Sequence, residues 1–155
     1  MSTPGAPRRM ALTGLHHVTL ICADLERTTA FYRDVLGLTV VQEGMSEDDP
    51  GTRHFWFGDP AGTPGTLVTF LEYPDLPEGT VGRGSTHHLA FGVSSPEELD
   101  AWRAWLDHSD VPATDVFDRG GLRSIYVRDP DGHVLEIAAA SGGPAAPRRL
   151  WSGSS

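Results

Sequence analysis

The amino-acid sequence predicts an α+β fold: two βαβββ modules pairing into a rolled mixed sheet with the helices outside. Three observations carry this prediction. The segment HHVTLICADLERTTAFYRDVL from His16 is echoed by HHLAFGVSSPEELDAWRAWLD from His87, each a His pair, an alternating strand, a cap and an amphipathic helix. HFWFGDPAG and SIYVRDPDG then repeat a strand that runs into a turn, and each is followed by an apolar strand, TLVTFL and HVLEIAA. A lone βαβββ unit cannot cover its own sheet, so two must pack together and curl around a shared concavity.

The elements follow in order. Residues 1–12, MSTPGAPRRMAL, are rich in Pro, Gly and Ser and are expected to be flexible. A single domain then spans 13–140, with module one at about 13–73, a linker PDLPEGTVGRGS at 74–85, and module two at 86–140. In the first strand Val18, Leu20 and Cys22 share the apolar face. Asp24 caps the helix that follows, Leu25, Phe31 and Val35 lie on its apolar side, and Gly37 stops it. In module two Leu89, Phe91 and Val93 form the apolar strand face. Ser95, Pro96 and Glu98 make a capping box with Pro at the first helical position, and Leu99, Trp102 and Leu106 form the stripe. The strand directly after each helix is the least clear element. The tail 141–155, SGGPAAPRRLWSGSS, is expected to be flexible, with Trp151 its one residue suited to docking.

Strand parity selects the residues that face the concavity. His17, Thr19 and Ile21 lie opposite the apolar face of the first strand, and His88, Ala90 and Gly92 do so in the repeat. His16 and His87 have the other parity, but they start their strands, where the chain can bend back to a rim. Asp129-Pro130-Asp131-Gly132 reads as a type I turn with Gly in the left-handed position, which sets Tyr126 opposite Glu136. Those two side chains, with Ser124 and Ala138, share one face, and Ile125, Val127, Leu135 and Ile137 share the core face. A carboxylate in the middle of an apolar strand needs a partner, and a cation serves.

Two imidazoles and a carboxylate from three strands, His17, His88 and Glu136, form the facial set used by non-haem Fe(II) oxygenases, with positions left open for substrate and O2. Taken singly, each strand histidine reads better as a hydrogen-bonded structural residue. Their equivalent places in the repeat, with Glu136 on a third strand, reverse that weighting. Module one has no matching carboxylate: Thr69 stands at the counterpart of Glu136, and Glu72 should face outward. Three ligands are therefore expected rather than four. His108 and His133 read as exposed, and His54 is open to either reading. Tyr126 reads equally as a sheet aromatic, and Arg119 as a solvated loop charge.

Bulk properties exclude other classes. With 21 acidic against 12 basic residues and a net charge of -9, the chain should repel nucleic acid and anionic membrane. No apolar region follows Arg8 and Arg9, and no run reaches membrane-spanning length, so a cytoplasmic protein is expected. The single Cys22 cannot form an internal disulfide and reads as a small buried hydrophobe.

Taken together, GLHHVTL, ADLERTTAFYRDVLGL and DPDGHVLEI resemble the vicinal oxygen chelate superfamily of glyoxalases, bleomycin-binding proteins, fosfomycin-modifying thiol transferases and extradiol dioxygenases. DDPGTRHFWFGDPAGTPGTLVTF, THHLAFGV and DRGGLRSIYVRDPDGHVLEI are similar, more narrowly, to Fe(II)-dependent dioxygenases that cleave hydroquinone rings. That resemblance implies metal ligands at His17, His88 and Glu136, and surrounding groups at His16, Thr19, His87, Arg119 and Tyr126. It implies Fe(II), with Mn, Ni or Zn as alternatives, and a small aromatic substrate with O2. Thr19, Tyr126 and His87 would contact the substrate. His87 or His16 would move a proton, Tyr126 would donate a hydrogen bond, and Arg119 would stabilise negative charge. Those dioxygenases are longer, two-domain chains, so a homodimer with two equivalent sites is expected here. The competing readings are a glyoxalase or thiol transferase with a redox-inert metal, and a metal-free binding protein of the bleomycin-resistance kind.

Overall fold

The computed structural model describes residues 9–140. The flexible tail expected at 141–155, with Trp151, lies outside the described residues, as do residues 1–8 of the expected flexible N-terminus. Each module forms its own four-stranded mixed sheet. Module one runs β1 (His17–Cys22), α1 (Leu25–Thr29), β2 (Thr39–Met45), β3 (Arg53–Gly58) and β4 (Leu67–Glu72), with spatial order β1-β4-β3-β2. Module two runs β5 (Leu89–Val93), α2 (Pro96–His108), β6 (Phe117–Asp118), β7 (Leu122–Arg128) and β8 (Val134–Ala140), with order β5-β8-β7-β6. In both, the first strand pairs parallel with the last and the other pairings are antiparallel. The two orders superpose element for element, as the repeat requires. The strand after α2 is the weak element, reduced to two residues.

Local chemistry sets the helix boundaries. Asp24 Oδ1 accepts from Arg27 N at 3.1 Å and opens α1, which runs Leu25–Thr29 in α geometry and continues as a π-helical stretch over Ala30–Val35. Gly37 ends it at φ 74°, a conformation that costs glycine nothing. Ser95 Oγ accepts from Glu98 N at 3.2 Å, while Glu98 Oε2 reaches back to Ser94 N at 2.8 Å, one residue before the cap. The sequence stripe of α1 omitted Tyr32, which is fully buried and packs at 4.8 Å from Phe70 and 5.7 Å from Phe57 between ring centroids. Each such aromatic stabilises the fold by about 2 kcal/mol through burial. Cys22 is buried as predicted, and burial pushes its thiol up to about 11.

One apolar cluster joins the modules, from Leu20, Tyr32 and Phe70 on one side to Leu99, Ile125 and Ile137 on the other. A polar junction reinforces it. The β7–β8 turn of module two sits against the β1–α1 corner of module one: Asp131 Oδ1 accepts from Ala23 N at 3.2 Å and from Arg27 Nη2 at 2.7 Å. Buried Asp129 accepts from the Tyr32 hydroxyl at 3.1 Å and lies 2.9 Å from His133 Nδ1. The sequence reading of His133 as an exposed turn residue is corrected here. Its ring is half-buried and packs on Phe70 at 6.0 Å, because the turn carrying it is wedged between modules rather than projecting into water. The hydrogen bond to Asp129 raises the His133 pKa above its ordinary value. Among the described residues no helix is long and apolar enough to cross a membrane.

Candidate metal centre

The β7–β8 hairpin positions the centre of module two. Gly132 N donates to Asp129 O at 3.0 Å with Gly132 at φ 90°, and Asp129 N donates to His133 O at 3.1 Å. The resulting register places Tyr126 opposite Glu136 and Ser124 opposite Ala138, as the turn predicts. Glu136 is 5% exposed, and its Oε2 lies 2.9 Å from His88 Nε2. His88 immediately precedes β5, whose Ala90 pairs with Glu136. The His88 ring meets Tyr126 edge-on at 5.8 Å.

Around this pair lie the other residues expected in module two. His87 Nδ1 is 2.8 Å from His88 Nδ1, so a single proton links the rings. Arg119 Nη1 donates to Tyr126 Oη at 3.3 Å, and the guanidinium lies 5.7 Å from the Tyr126 ring and 5.5 Å from the Phe117 ring. Arg119 and Tyr126 thus touch each other, while Arg119 itself stays exposed.

Module one presents the matching face. His17 and Thr19 point outward from β1 and are exposed, while Leu20 and Cys22 turn to the core. His16 Nδ1 stands 3.0 Å from His17 Nδ1, the counterpart of the His87–His88 contact. The His17 ring packs on Trp56 at 4.7 Å. Trp56 pairs with Thr69 as Tyr126 pairs with Glu136. Buried Thr69 donates to Thr19 Oγ1 at 2.9 Å and lies 3.0 Å from His54 Nε2. Burial lowers the His54 pKa, helped by the nearby His17. The sequence reading assigns no site role to His54, Trp56 or Thr69, although the register of HFWFGDPAG on SIYVRDPDG aligns Trp56 with Tyr126 and His54 with Ser124.

Within one chain the expected triad is only partly assembled. His88 and Glu136 meet, and His17 lies on the other module's face with Trp56 and His16. Among the described residues the one group of three acidic, His or Cys side chains close enough to share a cation is Asp24, Glu26 and Glu72, which contains none of the three. That cluster already has its cation. Arg53 Nε donates to Glu72 Oε2 at 2.7 Å and Arg53 Nη1 to Glu26 Oε1 at 2.6 Å, and Glu72 Oε1 also accepts from Leu25 N at 2.9 Å. The Arg53 hydrogen bond holds Glu26 down at about 2. Glu72 faces the helix side, as its parity predicts. Clefts along the module junction, including one of about 150 Å³ between Leu36, Leu38, Phe91, Val93 and Trp102, are lined by none of the predicted site residues.

Comparison with known proteins agrees with this architecture. The chain is 42% identical over 115 residues to MhqE of Bacillus subtilis (strain 168), named a candidate ring-cleaving dioxygenase, covering 73% of this chain and 38% of that protein. It is 28% identical to the metallothiol transferase FosB of Staphylococcus epidermidis, covering 84% of this chain and 86% of that protein. A crystal structure described as a candidate dioxygenase from Bacillus subtilis subsp. subtilis str. 168 superposes with a TM-score of 0.76 at 34% identity, covering 83% of this chain and 41% of the other. The chain thus spans about two fifths of the length of the dioxygenase relatives it matches. The family model described as Glyoxalase/Bleomycin resistance protein/Dioxygenase superfamily matches residues 14–137. With nearly all of both modules inside that match, this chain belongs to the glyoxalase/bleomycin resistance protein/dioxygenase superfamily.

Proposed function

We propose that this protein is an Fe(II)-dependent dioxygenase that cleaves the ring of a hydroquinone or related phenol with O2. Its metal would be held by His88 and Glu136 of one chain and His17 of a second copy, in a homodimer with two equivalent sites. The observation carrying this reading is the His88 Nε2–Glu136 Oε2 pair at 2.9 Å. A carboxylate that is 5% exposed and, among the described residues, meets only an imidazole is well placed to hold a divalent cation. The donor set fits: the two atoms that share a proton in the chain alone are the two that would share a metal. His17 occupies the equivalent position on the open face of module one, where its Nδ1 meets His16.

Iron, when bound, supplies a Lewis-acidic, redox-active centre at which phenol and O2 are brought together. The protein's residues do the rest. Contact with His87 Nδ1 and with His16 Nδ1 fixes the tautomer of the adjacent ligand imidazole, leaving its Nε2 lone pair available. His87, accepting at Nδ1, then carries its own hydrogen on Nε2 and can donate it to a substrate oxygen. Tyr126 Oη, steadied by Arg119, donates to a substrate oxygen, and the Arg119 charge favours negative charge developing there.

One observation favours a second reading. The chain covers 86% of the thiol transferase FosB, against 38% of MhqE, so a single module pair suffices for a thiol transferase with a redox-inert cation. Metal analysis of protein purified without oxygen, followed by oxygen uptake with hydroquinone and Fe(II), separates the two. Iron and uptake are expected. No uptake across a panel of hydroquinones and catechols would transfer the assignment to the second reading.

A further inference from the structure

Module one carries a polar chain across three adjacent strands that the metal site leaves unexplained. It runs from His54 on β3 through Thr69 on β4 to Thr19 on β1, with contacts of 3.0 Å and 2.9 Å. Thr69 is fully buried at the centre of the sheet, at the position that holds Glu136 in module two. A buried hydroxyl has one proton to give. When that proton goes to Thr19 Oγ1, Thr69 can only accept from His54, and His54 presents Nε2–H. Thr19, having accepted, keeps its own proton for the exposed face on which it stands. His17 lies two residues away on the same face, about 7 Å along the strand.

From this polarity we infer that His54 and Thr69 are positioning residues, a hydrogen-bond relay that fixes the Thr19 hydroxyl as a donor beside the metal. A ligand presenting an acceptor oxygen there, as a phenolate does, is selected over one presenting a donor. The inference rests on the proposed metal site for the presence of that ligand, but the relay itself belongs to module one alone. Each link polarises the next, so breaking either one releases Thr19 to rotate.

Two measurements test it, and their failures differ from failure of the dioxygenase reading. In the metal-free full chain, long-range proton–nitrogen NMR should find His54 as the Nε2–H tautomer and lose that preference in Thr69→Val. An Nδ1–H tautomer in the unmodified chain overturns the relay whatever the metal does. In the zinc-loaded chain, where no oxygen chemistry can occur, the affinity for 4-nitrocatechol is read from its absorbance. His54→Phe and Thr69→Val should each weaken the probe about tenfold at unchanged zinc content, and the double variant no further than either alone. His54→Gln, which keeps an N–H donor, should stay within about twofold of the parent chain. Additive losses in the double variant, or no loss in the single ones, would overturn the inference.

Discussion

In module one the strand centre opposite Trp56 is Thr69; in module two the strand centre opposite Tyr126 is Glu136. Both positions are buried, and each module also carries a histidine that touches a second one, His17 with His16 and His88 with His87. The same comparison holds at the turns. Asp59 and Asp129 each open an Asp-Pro-x-Gly turn closed by a glycine N–H at 3.0 Å, and each accepts a second backbone N–H at 2.8 Å. Yet Asp59 lies near water, whereas Asp129 is buried against Tyr32 and His133. One backbone plan therefore supports two divisions of labour. Module one supplies neutral hydrogen bonding around His17, the ligand proposed for it, and module two supplies the carboxylate and the wedge that joins the halves.

The sharpest way to break this comparison is to exchange the load. Glu136→Ala should lose metal and activity together, with metal affinity falling at least about 100-fold, while Thr69→Val retains metal. Metal content after dialysis decides it, and full iron occupancy in the Glu136 variant would refute the ligand assignment. Mixing chains sharpens the same point. His17→Ala and Glu136→Ala proteins, each inactive alone, should recover about a quarter of parental activity after joint refolding, because half the dimers would then hold one intact site. No recovery in a mixture shown to contain mixed dimers would place all three ligands' work within one chain.

Next in size are the turns. Asp129→Ala should destabilise the fold by about 2–4 kcal/mol, since it strips the buried Tyr32 hydroxyl of its acceptor. Asp59→Ala should cost about 1 kcal/mol or less in the same urea titration. The His133 pKa is raised in the folded chain by its hydrogen bond to Asp129. That contribution is therefore fully present below the ordinary histidine value of about 6.5 and is lost as pH rises through the raised folded value. His133→Gln should remove this component of the pH dependence of stability. Smallest is Tyr126→Phe, expected to keep metal and fold while lowering turnover about tenfold, the worth of one hydrogen bond. A parental rate in that variant would return Tyr126 to the role of a sheet aromatic.

Much of this was legible in the sequence because it follows from local rules. Strand parity separated His17 and Thr19 from Leu20 and Cys22, and turn chemistry fixed the Tyr126–Glu136 register. The caps at Asp24 and Ser95 lie where short-range hydrogen bonding puts them. Tyr32 lies seven residues after Leu25, on the same helical stripe, but only the facing module supplies the Asp129 acceptor that lets its hydroxyl be buried. His133 escaped the reading because its turn looks solvated from its own residues, and only the facing module buries it.

The sequence by itself determined the two modules, the faces taken by His17 and His88 and the pairing of Glu136 with its strand neighbours. All of these depend on contacts within a few residues or on a fixed alternation of side chains. Only the tertiary structure decided that His88 meets Glu136 while His17 stays on the other module, that Arg53 neutralises the acidic cluster, and that Asp129 locks the halves together. Those outcomes depend on how one sheet is laid against another, and the apolar patterns of two modules fix that they pack, not which polar groups are brought face to face.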